Sequence, residues 1–365
     1  MKIYYYGIFD GFGGIENYAK NLIFKVTQTR PDIRYVILSI FDHISYEKEF
    51  LSYGCDIVKL PNPYKHPIKF KKSLLDIFKK ANPREDLIQL NICSYRNLEL
   101  FTACRDSGLH TIVVAHASGI KNTGARAALS YIHYLNRFIF HKLGCNVAVS
   151  QTAGKFMFGN LSNVKIIENG INSEIYSFSK DSREMIRTKF GVGDNVLLLG
   201  QIGRISKEKN QLFSIHLLEA LRNKGINCKL ILAGKNGWPD PSNYALDHNL
   251  SQYVSFIGVI NNPWDLYSGL DVALLPSISE GLSLALLEMC SNGVYSLVSS
   301  GVPKIDITSS NVNYLDLDVN SWSNFITSNL MHIKNNQRKN IIYGTKYDLK
   351  AFAEEYIKLY DSLTK

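Results

Sequence analysis

The chain has 365 residues, 45% of them hydrophobic and 20% charged, with a net charge of +9. At roughly 150 residues per domain this length suggests two domains, and the composition excludes a disordered chain. The charge is lopsided: residues 1–165 hold 22 Lys/Arg against 12 Asp/Glu, whereas residues 166–365 hold 19 against 20. All the excess positive charge therefore lies in the first half and implies an anionic partner there: nucleic acid, a phosphate-bearing substrate or an acidic membrane surface.

In chain order, Lys2–Tyr6 is a β-branched and aromatic run that ends at Gly7 and predicts a strand, not the apolar segment of a signal peptide. Ile15, Tyr18, Leu22, Ile23 and Val26 recur at helical spacing over Ile15–Thr27. Tyr35–Phe41 is almost continuously apolar, as a strand covered on both faces is; Asp56–Leu60, Leu87–Leu90 and His110–Ala115 repeat the pattern, with helix-like stretches between them. Strand, helix, strand in this order predicts a parallel, doubly wound sheet.

The second half begins the same grammar again with a strand at Val164–Ile167 and a helix at Ser182–Phe190. Strand Val196–Ile202, helix Gln211–Lys224 and strand Cys228–Ala233 follow, then strands at Val254–Ile257, Val272–Leu275 and Tyr295–Val298. Helices are predicted at Leu282–Asn292 and Lys350–Leu363. The fold class is α/β, with two Rossmann-like domains facing each other across a cleft at the carboxyl ends of both sheets, where such folds bind ligands. No apolar run approaches the roughly 18 residues of a membrane-crossing helix. The six cysteines are scattered without a C-x-x-C pair, so free thiols in a reducing compartment are expected.

Three loops could carry chemistry. Asp10-Gly11-Phe12-Gly13-Gly14-Ile15-Glu16 lies between the first strand and the first helix, where glycines let backbone approach a phosphate. Glu16 stands where a dinucleotide fingerprint needs its third glycine, although Asp42 could serve as the acid that holds a ribose. Gly203–Asn210 follows a strand end and carries Arg204 and Lys209, two cations suited to a diphosphate. Glu280-Gly281-Leu282-Ser283-Leu284-Ala285-Leu286-Leu287-Glu288 spans a helix entrance. With both carboxylates on that helix, eight residues correspond to an offset of about 80°, on neighbouring flanks. The free amides of Gly281–Leu284 would face an anion. Asp316-Leu317-Asp318 is read as a surface turn, and no metal is predicted.

Taken together, G-G-I-E, G-R-x-x-x-x-K and E-G-L-x-x-x-x-x-E resemble the GT-B glycosyltransferases. The similarity is greatest to the large retaining family numbered four, with its bacterial enzymes of capsule, exopolysaccharide and O-antigen assembly. Glu168-Asn169-Gly170-Ile171, Leu232-Ala233-Gly234, Phe256-Ile257-Gly258 and Asp271–Ser277 add to the resemblance. It spans nearly the whole chain and is most specific in the second half.

The resemblance implies an N-terminal acceptor domain at 1–165, a nucleotide-sugar domain at 166–345 and a helix at 346–365 returning to the first. It implies that Arg204 and Lys209 bind the donor diphosphate, that Glu280 contacts sugar hydroxyls and that Glu288 holds the ribose. Gly13 and Gly14 would admit the diphosphate, and His116 would reach the donor sugar, although Ala117-Ser118 departs from the family pattern. The implied reaction is transfer of a hexose or N-acetylhexosamine with retention, from a UDP-linked donor and without metal or cofactor. Front-face attack and electrostatic stabilisation of the leaving diphosphate would carry it.

Two basic, aromatic stretches, Lys65–Lys80 and Arg126–Lys142, suit a polyprenyl-diphosphate or oligosaccharide acceptor. They also suit transient attachment of a cytoplasmic protein to the anionic inner membrane face; two helices packed on the sheet with solvated charges explain them equally well. Nucleic acid is not expected, since no binding motif accompanies the charge. Two other functions stay open: an NAD(P)-dependent oxidoreductase using the Gly11–Gly14 turn, and a non-catalytic sugar-nucleotide-binding subunit on the same fold.

Overall fold

Short apolar runs, each closed by glycine or polar residues, become the strands of two separate parallel sheets. The computed structural model describes all residues except 12, 13, 118, 120–125, 308 and 365, with side chains of 126–130 also outside the description. The chain divides into two units, Met1–Gly170 with Lys346–Lys365, and Ile171–Thr345.

The first unit runs β1 (Lys2–Tyr6), α1 (Gly14–Thr29), β2 (Arg34–Ser39), α2 (Glu47–Ser52), β3 (Asp56–Lys59), α3 (Pro67–Phe78) and β4 (Leu87–Ile92). It continues through α4 (Leu98–Ser107), β5 (His110–Ala115), α5 (Arg126–Phe140), β6 (Cys145–Ala148), α6 (Gln151–Phe158) and β7 (Val164–Ile166). The sheet order is β3-β2-β1-β4-β5-β6-β7, parallel throughout. Every residue of central β4 is buried, Gln89 and Asn91 included, because helices cover both faces. The Val164 strand, read from sequence as the start of the second half, pairs with β6 instead. The unit boundary therefore falls at Gly170, five residues beyond the expected 165.

The second unit runs α7 (Lys180–Lys189), β8 (Leu197–Ile202), α8 (Gln211–Asn223), β9 (Cys228–Ala233), α9 (Ser242–Asp247), β10 (Val254–Phe256) and α10 (Pro263–Gly269). Then come β11 (Val272–Leu275), α11 (Leu284–Asn292), β12 (Tyr295–Ser299), β13 (Val312–Leu315), α12 (Val319–Ser328) and α13 (Leu330–Lys334). Its order is β10-β9-β8-β11-β12-β13, also parallel. Both orders reverse direction beside the first strand of the unit, the doubly wound arrangement that puts loops for ligands at the carboxyl ends. Asp271, just before β11, accepts from Arg183 at 2.6 Å and Arg187 at 2.9 Å, and anchors α7 to the sheet. Asp318, from the D-x-D run, caps α12 by accepting from Ser321 N at 2.6 Å.

The last helix, α14 (Leu349–Leu363), belongs to the first unit and packs on α1. The Tyr18 ring meets Phe352 edge-on at 5.3 Å, and Tyr360 donates to buried Gln89 at 2.6 Å. All six cysteines are free thiols, and no described helix is long and apolar enough to cross a membrane.

At the carboxyl edge of the second sheet, loop backbones lie directly on one another. A Cβ on Gly234 would sit 2.0 Å from Gly203 O, and Gly234 has φ +151°, a conformation L side chains rarely adopt. Gly234→Ala is expected to destabilise the second unit by about 1–3 kcal/mol from backbone strain alone, with the steric clash adding to it. Urea unfolding checks this; an unchanged midpoint would refute the close packing of these two loops.

Candidate functional site

The loop after β8 is saturated by two glutamines that the sequence reading overlooked. Gln201 Nε2 donates to Lys209 O at 2.7 Å, while Ser214 Oγ donates to Gln201 Oε1 at 2.7 Å. Gln211 Nε2 donates to Gly203 O and Arg204 O, at 3.3 and 3.0 Å, and its Oε1 accepts from Ser206 N at 3.2 Å. With its backbone held, the loop presents its side chains. The Arg204 side chain is exposed and has no hydrogen-bond or ion-pair partner among the described residues. Lys209 is directed at Glu280, with which it forms an ion pair.

Glu280 comes from the neighbouring strand's loop, after β11. Its Oε1 accepts from Lys209 Nζ and, at 2.7 Å, from Ser277 Oγ. Ser277 O accepts from Ser299 Oγ, and Ile278 N donates to Glu208 O at 2.8 Å, which ties the two loops together through their backbones as well. These contacts correct the expected helix geometry. Helix α11 begins at Leu284 with Ser283 at its N-cap, so Glu280 lies in the preceding loop and not on a flank shared with Glu288. Gly281, exposed and with open space where a Cβ would stand, completes the turn between them.

Ser283 is unusual for an N-cap serine. Its side chain makes no cap bond, yet it is 3% exposed and its Oγ is buried without a partner. The first-turn amides of α11, from Leu284 on, therefore lack the hydroxyl that would ordinarily satisfy one of them. Partial positive charge at a helix N-terminus, an orphan hydroxyl and the Lys209 cation on the neighbouring loop make an environment for a bound anion. Glu288, one and a half turns into α11, is half-buried: Tyr176 OH donates to its Oε1 at 2.8 Å and Tyr267 OH to its Oε2 at 3.0 Å. Burial, then the Glu288 charge, push the Tyr267 phenol well above its ordinary value, so it stays a donor.

In the first unit, His116 follows β5. Its Nε2 lies 3.1 Å from Asn91 Oδ1, and its ring meets Tyr18 edge-on at 4.6 Å. Asn91 Nδ2 donates to Tyr6 O at 3.3 Å, which orients the amide and makes Nε2 the protonated nitrogen of His116. Burial pushes the imidazole down to about 3. Neutral His116 therefore keeps Nδ1 as an acceptor. Gly14 is the first residue of α1 with open space beside it, whereas Gly13 lies outside the described residues, as does Ser118. Early in α1, buried Glu16 accepts from Phe9 N at 3.4 Å. Asp42, the acid of the dinucleotide reading, is paired with Lys59.

The carboxyl-edge loops of the second unit lie inside the segment that matches a known family. Residues 182–347 match the model of glycosyl transferases group 1. That segment of the chain is similar to the glycosyl transferases group 1 family. The chain is 24% identical over 328 residues to EpsF of Bacillus subtilis (strain 168), covering 86% of this chain and 84% of that one. It is also 24% identical over 141 residues to the Escherichia coli UDP-Gal:alpha-D-GlcNAc-diphosphoundecaprenol alpha-1,3-galactosyltransferase, covering 38% of this chain and 36% of that one. Its fold is that of HepE from Anabaena, solved in complex with UDP, at TM-score 0.78 and 15% identity over 99% of this chain and 100% of that one. The architecture is thus that of the GT-B fold.

The pKa of His116 has a consequence for stability. The unfolded imidazole takes a proton near pH 6.5 while the folded one waits until about 3. The unfolded chain thus binds more protons inside that window, so this group lowers stability as pH falls from 6.5 and contributes no slope above it. In an NMR titration the His116 resonances are expected to stay fixed between pH 5 and 8, with Nε2 as the protonated nitrogen. Asn91→Asp, which sets a carboxylate beside the ring, should restore titration in that range; a wild-type ring titrating near 6.5 would refute the assignment.

Proposed function

We propose that the protein is a retaining hexosyltransferase of the family numbered four. In this reading it moves a hexose or N-acetylhexosamine from a UDP-linked donor to a lipid-linked or oligosaccharide acceptor in bacterial surface-polysaccharide assembly. The observation that carries the reading is the Lys209–Glu280 pair standing before the N-terminus of α11, where Ser283 leaves its hydroxyl and the helix amides available. The names of relatives support the substrate classes: the Escherichia coli protein is named for a UDP-galactose donor and a diphosphoundecaprenol acceptor, and HepE was solved with UDP.

The donor's diphosphate meets Arg204, Lys209 and the amides of Gly281, Leu282, Ser283 and Leu284. As the bond from the anomeric carbon to the phosphate oxygen breaks, negative charge grows on that oxygen, and these fixed donors stabilise it more than they stabilise the ground state. Two side-chain cations supply the positive charge, so donor binding needs no metal in this reading. Glu280 has one oxygen engaged by Lys209 and Ser277 and offers its remaining acceptor capacity to sugar hydroxyls, while Glu288, oriented by Tyr176 and Tyr267, accepts from the ribose. His116 is the first unit's candidate for accepting a hydroxyl of the transferred sugar. A lipid-linked acceptor brings a cytoplasmic enzyme to the anionic inner face of the membrane as a peripheral protein.

Nucleotide binding and transfer test this separately. UDP is expected to raise the melting temperature with chelator present, and Arg204→Ala to weaken UDP binding roughly 10–100-fold, the loss of one or two charge-assisted hydrogen bonds. Glu280→Gln should keep UDP binding while turnover falls by about two orders of magnitude or more. A melting shift only with another nucleoside diphosphate would overturn the UDP assignment. Unchanged turnover in Glu280→Gln would overturn the role given to that carboxylate, and absence of turnover in the wild type with intact UDP binding would favour a non-catalytic sugar-nucleotide subunit.

A further inference from the structure

At the amino edge of the second sheet, opposite the edge that carries Lys209 and Glu280, guanidinium groups outnumber carboxylates. Asp271 has both oxygens engaged: Oδ1 accepts from Arg183 Nη2 at 2.6 Å, and Oδ2 accepts from Arg187 Nη1 at 2.9 Å and Leu198 N at 2.8 Å. Arg338, from the segment between α13 and α14, reaches the same place and forms no ion pair with a carboxylate among the described residues. Its partners are neutral. Nη1 donates to Asn292 Oδ1 at 2.6 Å and to Tyr267 O at 3.3 Å, and Nη2 donates to Leu270 O. Arg183 Nη1 likewise donates to Gly269 O at 3.2 Å and Leu270 O at 3.1 Å. Most of these acceptors are the carbonyls that end α10, whose C-terminal dipole offsets at most about half a charge.

Arg183 and Arg338 line a cavity of about 300 Å³, with Asp271, Lys334, Asn336 and Phe178. That volume is at the small end of the range for pockets that hold small molecules. The Phe178 ring forms an apolar wall, its centre 5.1 Å from the Arg338 guanidinium. Lys334 is exposed and makes no hydrogen bond or ion pair among the described residues. Arg338 uses three of the five N–H groups that a guanidinium carries, so Nε–H and one Nη2 N–H have no protein acceptor there. Burial, then the charge of Arg183, hold this guanidinium down to about 9, so it stays charged at neutral pH at a cost in free energy. Arg183, Arg187, Lys334 and Arg338 thus stand against the single carboxylate of Asp271. A bound dianion would neutralise the excess, and the free N–H groups of a guanidinium match the paired oxygens of a phosphate.

We propose that this cavity is a second anion site, distinct from the donor loops, that takes a small phosphate monoester on Arg338, Arg183 and Lys334. It is measured without nucleotide or acceptor, so it stands or falls independently of the transferase reading. The full chain is titrated calorimetrically with inorganic phosphate, and separately with acetate as a monoanionic carboxylate probe. Phosphate is expected to bind, and acetate to bind at least about tenfold more weakly, because one negative charge leaves the cluster under-neutralised. Phosphate affinity should fall about tenfold or more in Arg338→Gln and in Lys334→Glu, each of which removes a charged donor. It should persist in Arg204→Ala, whose side chain belongs to the opposite edge of the sheet. Arg338→Gln also gives up the contacts that end α10. Lys334→Glu breaks no contact among the described residues and should keep the wild-type melting temperature, so this variant decides the matter where Arg338→Gln does not fold. Absence of phosphate binding by the wild type would overturn the proposal. So would equal binding of acetate, phosphate binding unchanged by Lys334→Glu, or phosphate binding lost in Arg204→Ala, in which case the anion sits on the donor loops.

Discussion

The ion pair between Lys209 and Glu280 is the constraint on which the second unit's site depends. The two residues come from loops after β8 and β11, neighbouring strands of one parallel sheet. Each loop is first fixed by its own polar contacts, Gln201 and Gln211 on one side and Ser277 on the other. The salt bridge then joins two already ordered segments, so little further conformational entropy is lost in forming it. A cation and a carboxylate held in this way are oriented before any ligand arrives, and preorganised charge is what stabilises a leaving group without reorganisation at the moment of bond breaking.

The first unit uses buried polar groups differently. Gln89 and Asn91 lie on the central strand, where apolar side chains would pack more simply. Tyr360 from α14 donates to Gln89, Gln89 Nε2 lies 3.5 Å from Asn91 Oδ1, and that same oxygen meets His116 Nε2. The last helix of the chain is thus linked through two strand amides to the imidazole at the sheet's carboxyl end. A network whose members are paired specifies one arrangement, because each misplacement leaves a buried polar atom without a partner. His116 is held neutral by the burial that surrounds this network.

Much of the fold was legible because helical and strand periodicities are local. β1, β5, β9 and β11 match their expected spans; G-R-x-x-x-x-K falls in a carboxyl-end loop, and E-G-L-x-x-x-x-x-E begins in another and runs into α11. Short strands were harder to read. β6 carries an asparagine in four residues and β13 is half-buried along its length, so neither has the continuous apolar run that marks a covered strand. β7 was seen but assigned to the wrong half, because a strand's partner is a long-range fact that no local pattern records. Tyr176 and Tyr267, which orient Glu288, stand 112 and 21 residues away from it in sequence and carry no motif. The buried amides on β4 were the one visible signal: polar residues inside an otherwise apolar central strand ask for partners.

By itself the sequence determined the α/β class, the alternation of elements and the chemistry of the loops, since these depend on residue type and spacing along a few turns or strands. Tertiary structure decided the rest. It took Glu280 off the helix and gave it to Lys209, left Ser283 uncapped, and set the tautomer of His116 through an amide 25 residues away. It also decided which side of α5 faces outward. A hydrophobic stripe on a helix ordinarily points inward, and the bonds of His133 and Asn136 to the backbone of Tyr95, with the packing of Phe140 on Phe101, turn this one toward solvent. Periodicity reports that a helix has two faces; which face is buried is settled by the partners that the rest of the fold brings to it.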